Sequence, residues 1–141
     1  DKKLKTKGSR KITLFEEFIK NRLLVNPHIL KMPQLEISSI ETIYLCQYPS
    51  LEGLKILDLR KNFIGDEGLE AISGSSLLSN LRELDLRNNG ITRLGVKAFS
   101  ESKIFGCLEK IDLRINKLGK RWEDKIGESG NFPEIKEVRT V

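Results

Sequence analysis

The sequence repeats itself with a fixed period. Leu54-Lys-Ile-Leu57-Asp-Leu59-Arg-Lys-Asn62-Phe-Ile64 returns as Leu81-Arg-Glu-Leu84-Asp-Leu86-Arg-Asn-Asn89-Gly-Ile91, and again as Leu108-Glu-Lys-Ile111-Asp-Leu113-Arg-Ile-Asn116-Lys-Leu118, each copy starting 27 residues after the last. One period earlier lies Pro27, which puts Leu30, Met32 and Ile37 on the apolar positions. One period later lies Ile135, with Val138 and Thr140 in phase. Each apolar unit is too short to close a core alone, so successive units must stack and share one.

Within a unit, alternation along a strand points Leu57 and Leu59 inward and Asp58 and Arg60 outward. Strands are predicted near 28–32, 55–59, 82–86, 109–113 and 136–140. Asn62, Asn89 and Asn116 should form a buried structural ladder, because an amide side chain both donates and accepts where the backbone leaves the sheet. The pattern L-x-x-L-x-L-x-x-N-x-L resembles the leucine-rich-repeat family. The period and the Ile64-Gly-Asp-Glu-Gly-Leu69 segment resemble its ribonuclease-inhibitor-like subclass, in which a full helix follows each strand. The resemblance covers residues 27–141. It implies an α/β, right-handed horseshoe solenoid with parallel strands on the concave side and helices on the convex side. Two positions depart from the pattern. Leu35 stands where Asn is expected, and Trp122 stands where Gly68 and Gly95 stand in the two preceding units.

Local signals place the helices. Ser38-x-x-Glu41 reads as a capping box for a helix through Tyr44 and Leu45 that stops before Pro49. Asp66 is expected to cap a helix starting near Glu67, with Leu69 and Ile72 facing in and Gly74 ending it. Val96 and Phe99 serve the next unit in the same way. Before the repeats, Thr13-x-x-Glu16 reads as another capping box, ahead of Phe15, Phe18, Ile19, Leu23 and Leu24 at helical spacing. The expected organisation is a basic flexible tail (1–11), an N-terminal capping helix (12–26) and a repeat domain (27–141) with units starting at 27, 54, 81 and 108 and a strand stub at 135. That last strand would be an open edge. Either further repeats follow, or Lys136, Glu137 and Arg139 discourage pairing, or a second copy covers it as a homodimer. The chain opens at Asp1 and not Met, which leads us to expect that the natural chain extends further.

Function is expected on the concave face, where outward residues fall into rows. Ile56, Glu83 and Lys110 form one; Asp58, Asp85 and Asp112 the next; then Arg60, Arg87 and Arg114; then Lys61, Asn88 and Ile115. The Arg row should neutralise the Asp row through bidentate pairs. The family resemblance implies a protein–protein interaction module, a scaffold or adaptor. Its partner-binding residues are expected among Arg60, Lys61, Glu83, Asp85, Arg87, Asn88, Asp112 and Arg114. A metal on the three aspartates is disfavoured by the interleaved arginines, and no cofactor is expected.

Residues 1–11 hold six basic side chains against one acid, which accounts for the whole net charge of +5. A nucleic-acid-associated or nuclear role for this tail is therefore the alternative, as is a fragment of a larger protein whose activity lies elsewhere. Catalysis is not expected. His28 is the only histidine, no nucleophile–histidine spacing stands out, and Ile64-Gly-Asp-Glu-Gly lacks the Lys and Ser/Thr of a phosphate loop. No apolar run approaches the ~20 residues of a membrane span. Cys46 and Cys107 form no paired spacing and read as reduced and buried, hence an intracellular, cytoplasmic placement.

Overall fold

The computed structural model describes residues 10–141. Most of the tail, 1–9, lies outside the described residues. Helix α1 (Ile12–Val25) leads into strands β1 (Ile29–Lys31), β2 (Ile56–Asp58), β3 (Glu83–Asp85), β4 (Lys110–Asp112) and β5 (Glu137–Arg139), which alternate with helices α2 (Ser39–Leu45), α3 (Gly65–Ser73), α4 (Arg93–Ser100) and α5 (Arg121–Glu128). The strands form one parallel sheet in chain order, Ile29 beside Ile56, Ile56 beside Glu83, Glu83 beside Lys110 and Lys110 beside Glu137. The architecture is an α/β solenoid. Each strand is one residue shorter at both ends than expected. The bonding nonetheless runs on into the turns, where Met32 N–H donates to Asp58 O at 2.8 Å and Leu59 N–H to Asp85 O at 2.9 Å.

The core is built in columns. Leu30, Leu57, Leu84 and Ile111 are buried in one, and Met32, Leu59, Leu86 and Leu113 in the next. Helices contribute Leu45, Ile72, Phe99 and Ile126, and the turns before each following strand contribute Leu51, Leu78, Phe105 and Phe132. Toward the C-terminal end the aromatic members meet, with Phe99 centred 5.1 Å from both Phe105 and Phe132. Gly68 and Gly95 let neighbouring helices approach. A Cβ at Gly95 would stand 2.4 Å from Asp66 Oδ1 and 3.1 Å from Asp66 Cα. At the same phase in α5, Trp122 is buried, with Lys125 Nζ 4.7 Å from its ring centre.

The asparagines work backwards along the chain. Asn62 Oδ1 accepts from Leu35 N–H and Ile37 N–H, both at 3.0 Å, and its amide donates to Met32 O and Leu59 O, both at 2.9 Å. Asn116 does the same for Asn89 N–H (2.8 Å), Ile91 N–H (3.1 Å) and Leu86 O (2.9 Å). Asn89 accepts from Ile64 N–H at 3.2 Å and donates to Leu59 O at 2.9 Å. Each side chain satisfies the turn of the unit before its own. That explains Leu35: behind the first unit lies α1 and not another turn, so the oxygen of an amide there would have no turn N–H groups to accept from. Leu35 is buried, and Gln34 and Glu36 still adopt the positive φ of the turn, 54° and 56°.

Helix α1 buries Phe15, Ile19 and Leu23 against the first unit. Arg10, counted above with the tail, is tied to the fold. Its guanidinium donates to Glu41 at 2.6 and 3.0 Å and to Leu35 O at 2.8 Å, with only 5% of the side chain exposed. Glu41 also closes the Ser38 capping box. The other two expected caps are corrected. Helix α1 starts at Ile12 with Lys11 as its cap residue, so Thr13 already lies inside the first turn; Glu16 instead accepts a close hydrogen bond from Tyr44 Oη. Helix α3 starts at Gly65, so Asp66 cannot cap it. Asp66 caps the next helix, accepting from Thr92 N–H at 2.8 Å and Gly95 N–H at 3.0 Å.

These contacts fix the outcome of two opposite substitutions at equivalent positions. Asn62→Ala removes the acceptor of two buried N–H groups and the donor to Met32 O, while Leu59 O keeps the Asn89 amide, and should cost about 3 kcal/mol. Leu35→Asn, which places there the residue of the next three units, should also destabilise, by about 2 kcal/mol, because it buries an amide oxygen with no turn N–H groups to accept from. Urea unfolding of both variants checks this; a stabilised Leu35→Asn protein contradicts the backward geometry.

Candidate functional site

The open face of the sheet holds a shallow depression of about 270 Å³ across β1 to β4, bordered by Lys31, Arg60, Glu83, Arg87, Lys110 and Arg114. Three of the four expected rows are brought together here, while Lys61, Asn88 and Ile115 lie outside the depression, and the three are not equally available. Each aspartate first serves its own backbone. Asp58 Oδ1 accepts from Arg60 N–H at 3.1 Å, Asp85 Oδ1 from Arg87 N–H at 3.2 Å and Asp112 Oδ1 from Arg114 N–H at 3.2 Å. This contact bends the chain out of the strand. The arginine side chain then folds back over the carboxylate. Arg87 binds Asp85 with Nε at 3.0 Å and Nη2 at 2.7 Å, and Arg114 grips Asp112 at the same two distances. Arg87 also bridges to Asp112 at 3.5 Å. Asp58 and Asp112 are thereby buried although they point away from the core.

The first pair is looser. Arg60 Nε stands 3.6 Å from Asp58 and the side chain is 42% exposed. The electrostatics follow the difference. Burial raises the Asp58 carboxyl above its ordinary value, with the Asp85 charge adding to the effect and Arg60 N–H opposing it. Burial acts on Asp112 in the same sense, but the Arg114 side chain and backbone N–H together with Arg87 outweigh it and hold that carboxyl low. Glu83 is exposed, and Lys110 pairs with Glu137 at 3.2 Å. Lys61 and Asn88 sit on the exit turn beyond the strand, exposed, with φ of 58° and 53°.

The exit turn holds what sequence reasoning missed. Ile115 shares the phase of Lys61 and Asn88 and adopts φ 61° while 68% exposed. A β-branched side chain in the left-handed region costs about 1–2 kcal/mol. The signal was present in the sequence, as an isoleucine at the phase where other units carry Gln34, Lys61 and Asn88, but the phase alone does not reveal the backbone conformation.

His28 is exposed, with Nδ1 2.9 Å from Gly53 O. Among the described residues no group of three or more His, Cys, Asp or Glu is placed to hold a metal, and no helix is long and apolar enough to cross a membrane. The expectation of two buried cysteines is corrected in one case. Cys46 is buried, and burial pushes its thiol up to about 12; Cys107 is exposed, in the turn leading to β4 where the inward column begins only at Leu108.

A leucine-rich-repeat family model matches residues 54–73 and 78–100, two of the central units. No curated protein is significantly similar to the chain.

Two measurements follow from this geometry. In the folded protein a thiol reagent should modify Cys107 quickly and Cys46 only on unfolding; mass spectrometry of the labelled chain distinguishes them. Thermal unfolding at pH 7 should show Asp112→Asn destabilised by about 1 kcal/mol and Asp58→Asn unchanged or stabilised. The Asp112 carboxyl is held low, so its contribution is present above the unfolded value of about 3.9 and is lost as pH falls through the folded value. The Asp58 carboxyl is held high, so the fold favours its protonated form. The advantage is full below the unfolded value and is lost as pH rises through the folded one. Equal effects of the two substitutions at pH 7 contradict this assignment.

Proposed function

We propose that this chain, a leucine-rich-repeat solenoid in its sequence and its fold, is a protein–protein interaction module, a scaffold or adaptor, and not an enzyme. Leucine-rich repeats generally mediate protein–protein interaction. The finer reading is ours: the partner is taken on the concave face of the sheet. The observation that carries it is the depression of about 270 Å³ across four strands, which presents both signs of charge on a frame fixed by internal ion pairs. A pre-formed surface loses little entropy on binding.

The eight expected residues divide in their work. Asp85, Arg87, Asp112 and Arg114 hold one another and form the floor. Arg60, Lys61, Glu83 and Asn88 keep more of their polar groups free for a partner of mixed polarity. Helices of eight and nine residues following β2, β3 and β4 support assignment to the ribonuclease-inhibitor-like subclass. The burial of Phe15, Ile19 and Leu23 supports α1 as the cap of a repeat domain running over 27–141. Unpaired cysteines support an intracellular, cytoplasmic setting.

Affinity capture followed by mass spectrometry tests the reading. A specific protein partner should be retained after deletion of residues 1–9 and lost on Glu83→Lys or Arg60→Glu, which change the face without breaking the bidentate pairs. Binding that disappears with the tail and weakens steeply with salt would instead favour the nucleic-acid role of the basic segment. One observation favours a second arrangement, a homodimer along β5: among the described residues that strand has a neighbour only in β4. Light scattering over a concentration series should then show a dimer that Val138→Lys dissolves, and a monomer in both cases rejects it.

A further inference from the structure

The edge of the solenoid where each strand turns into its helix differs in character from the sheet. It carries the exposed apolar side chains Ile40, Phe63, Leu94 and Ile115, each about 70% accessible. Toward its C-terminal half its charge becomes one-signed. Residues 88–94 and 115–121 contain Arg93, Lys117, Lys120 and Arg121 and no acid. None of these four forms an ion pair among the described residues, in contrast to the arginines of the sheet. Between the two turns opens a cavity of about 550 Å³. Its floor is apolar and buried, from Ile91, Leu118 and Trp122, and its rim is Ile115 with Arg93, Lys117 and Arg121. The volume falls within the range of about 300–1,000 Å³ typical of ligand sites.

We propose that this cavity receives an acidic segment of a partner protein, with one apolar side chain entering beside Ile115 and flanking carboxylates meeting Arg93, Lys117 and Arg121. Charge complementarity carries the proposal: among the described residues, three cations without an ion-pair partner surround an apolar floor, Arg121 lying 5.9 Å from the centre of the Trp122 ring. The N-terminus of α4 is not the attraction, since Asp66 already occupies it. Ile115 adds an independent argument. Its backbone is strained and its side chain faces water, so the fold gains nothing from isoleucine there, whereas an apolar contact would use it. The mixture of cations with Ile115 and Leu94 fits a peptide better than a nucleic acid. The one ring in the cavity wall, Trp122, is buried and offers no open platform for base stacking. The site shares only Asn88 with the residues assigned to the concave face, and each can stand if the other fails.

The test is a titration of the isotope-labelled full chain, followed by amide chemical shifts, with a short peptide carrying one leucine between runs of glutamate. Saturable shifts centred on 90–93 and 115–122 are expected. Affinity should fall about tenfold or more in the Lys117→Glu, Arg121→Glu double variant. Ile115→Asn should weaken binding roughly threefold while raising the melting temperature, a split that mere damage to the fold cannot produce. Replacing the peptide leucine by glycine should weaken binding to a similar extent. No saturation at millimolar peptide, shifts centred on 56–58 and 83–87, or indifference to the peptide leucine each overturns the proposal. So does tighter binding of an oligothymidylate of matched charge.

Discussion

Everything in this molecule depends on a buried amide that answers the turn of the unit behind it. Three-residue strands cannot fix their own exits, and the chain must reverse direction while backbone N–H and C=O groups are still inside the protein. Asn62 resolves this for the first unit and Asn116 for the third, each with one oxygen accepting twice and one nitrogen donating at least twice. Linkage in this direction makes the units interdependent. The first needs none of its own, which is why Leu35 can sit there and pack instead beneath the Arg10–Glu41 pair that joins α1 to the body.

The same economy shapes the surface. On the sheet, the aspartate that bends the chain out of the strand is the group that arginine two residues later neutralises, so structure consumes much of the charge the face carries. What remains for recognition is a rigid floor with a few freer groups around it. On the strand-to-helix edge the balance is reversed. Among the described residues Arg93, Lys117, Lys120 and Arg121 form no ion pair there and apolar side chains face water, so that edge has more unspent interaction per residue than the sheet does. Rigidity is common to both, because the turns that display these residues are held from beneath by the asparagines.

Periodicity made the sheet legible. Leu57, Leu84 and Ile111 could be placed in one buried column, and Asp85 beside Asp112, from spacing alone, because pairing between identical units leaves no freedom in register. Capping was less legible, since the rules for it look along one helix whereas the solenoid shares groups between helices. Asp66 has the right chemistry for a cap, yet Gly65 starts its own helix too early and Thr92 stands within reach. Thr13 failed for a similar reason, with α1 beginning one residue before it. Cys107 followed composition into the core when its phase, one residue before an inward leucine, leaves it outside. The cavity beside Ile115 was invisible because it exists only between units. Its charges come from two turns 27 residues apart, and the strain that singles out Ile115 is a property of backbone angle.

Native-state hydrogen exchange of the unmodified protein tests the backward linkage most directly. The amides of Leu35 and Ile37, which the repeat pattern alone would leave without an asparagine, should be as strongly protected as those of Asn89 and Ile91, since Asn62 and Asn116 hold them in the same way. Protection of all four at a common opening free energy supports the account. Fast exchange at Leu35 and Ile37 beside slow exchange at Asn89 and Ile91 would show that the first turn stands unsupported, and would contradict it.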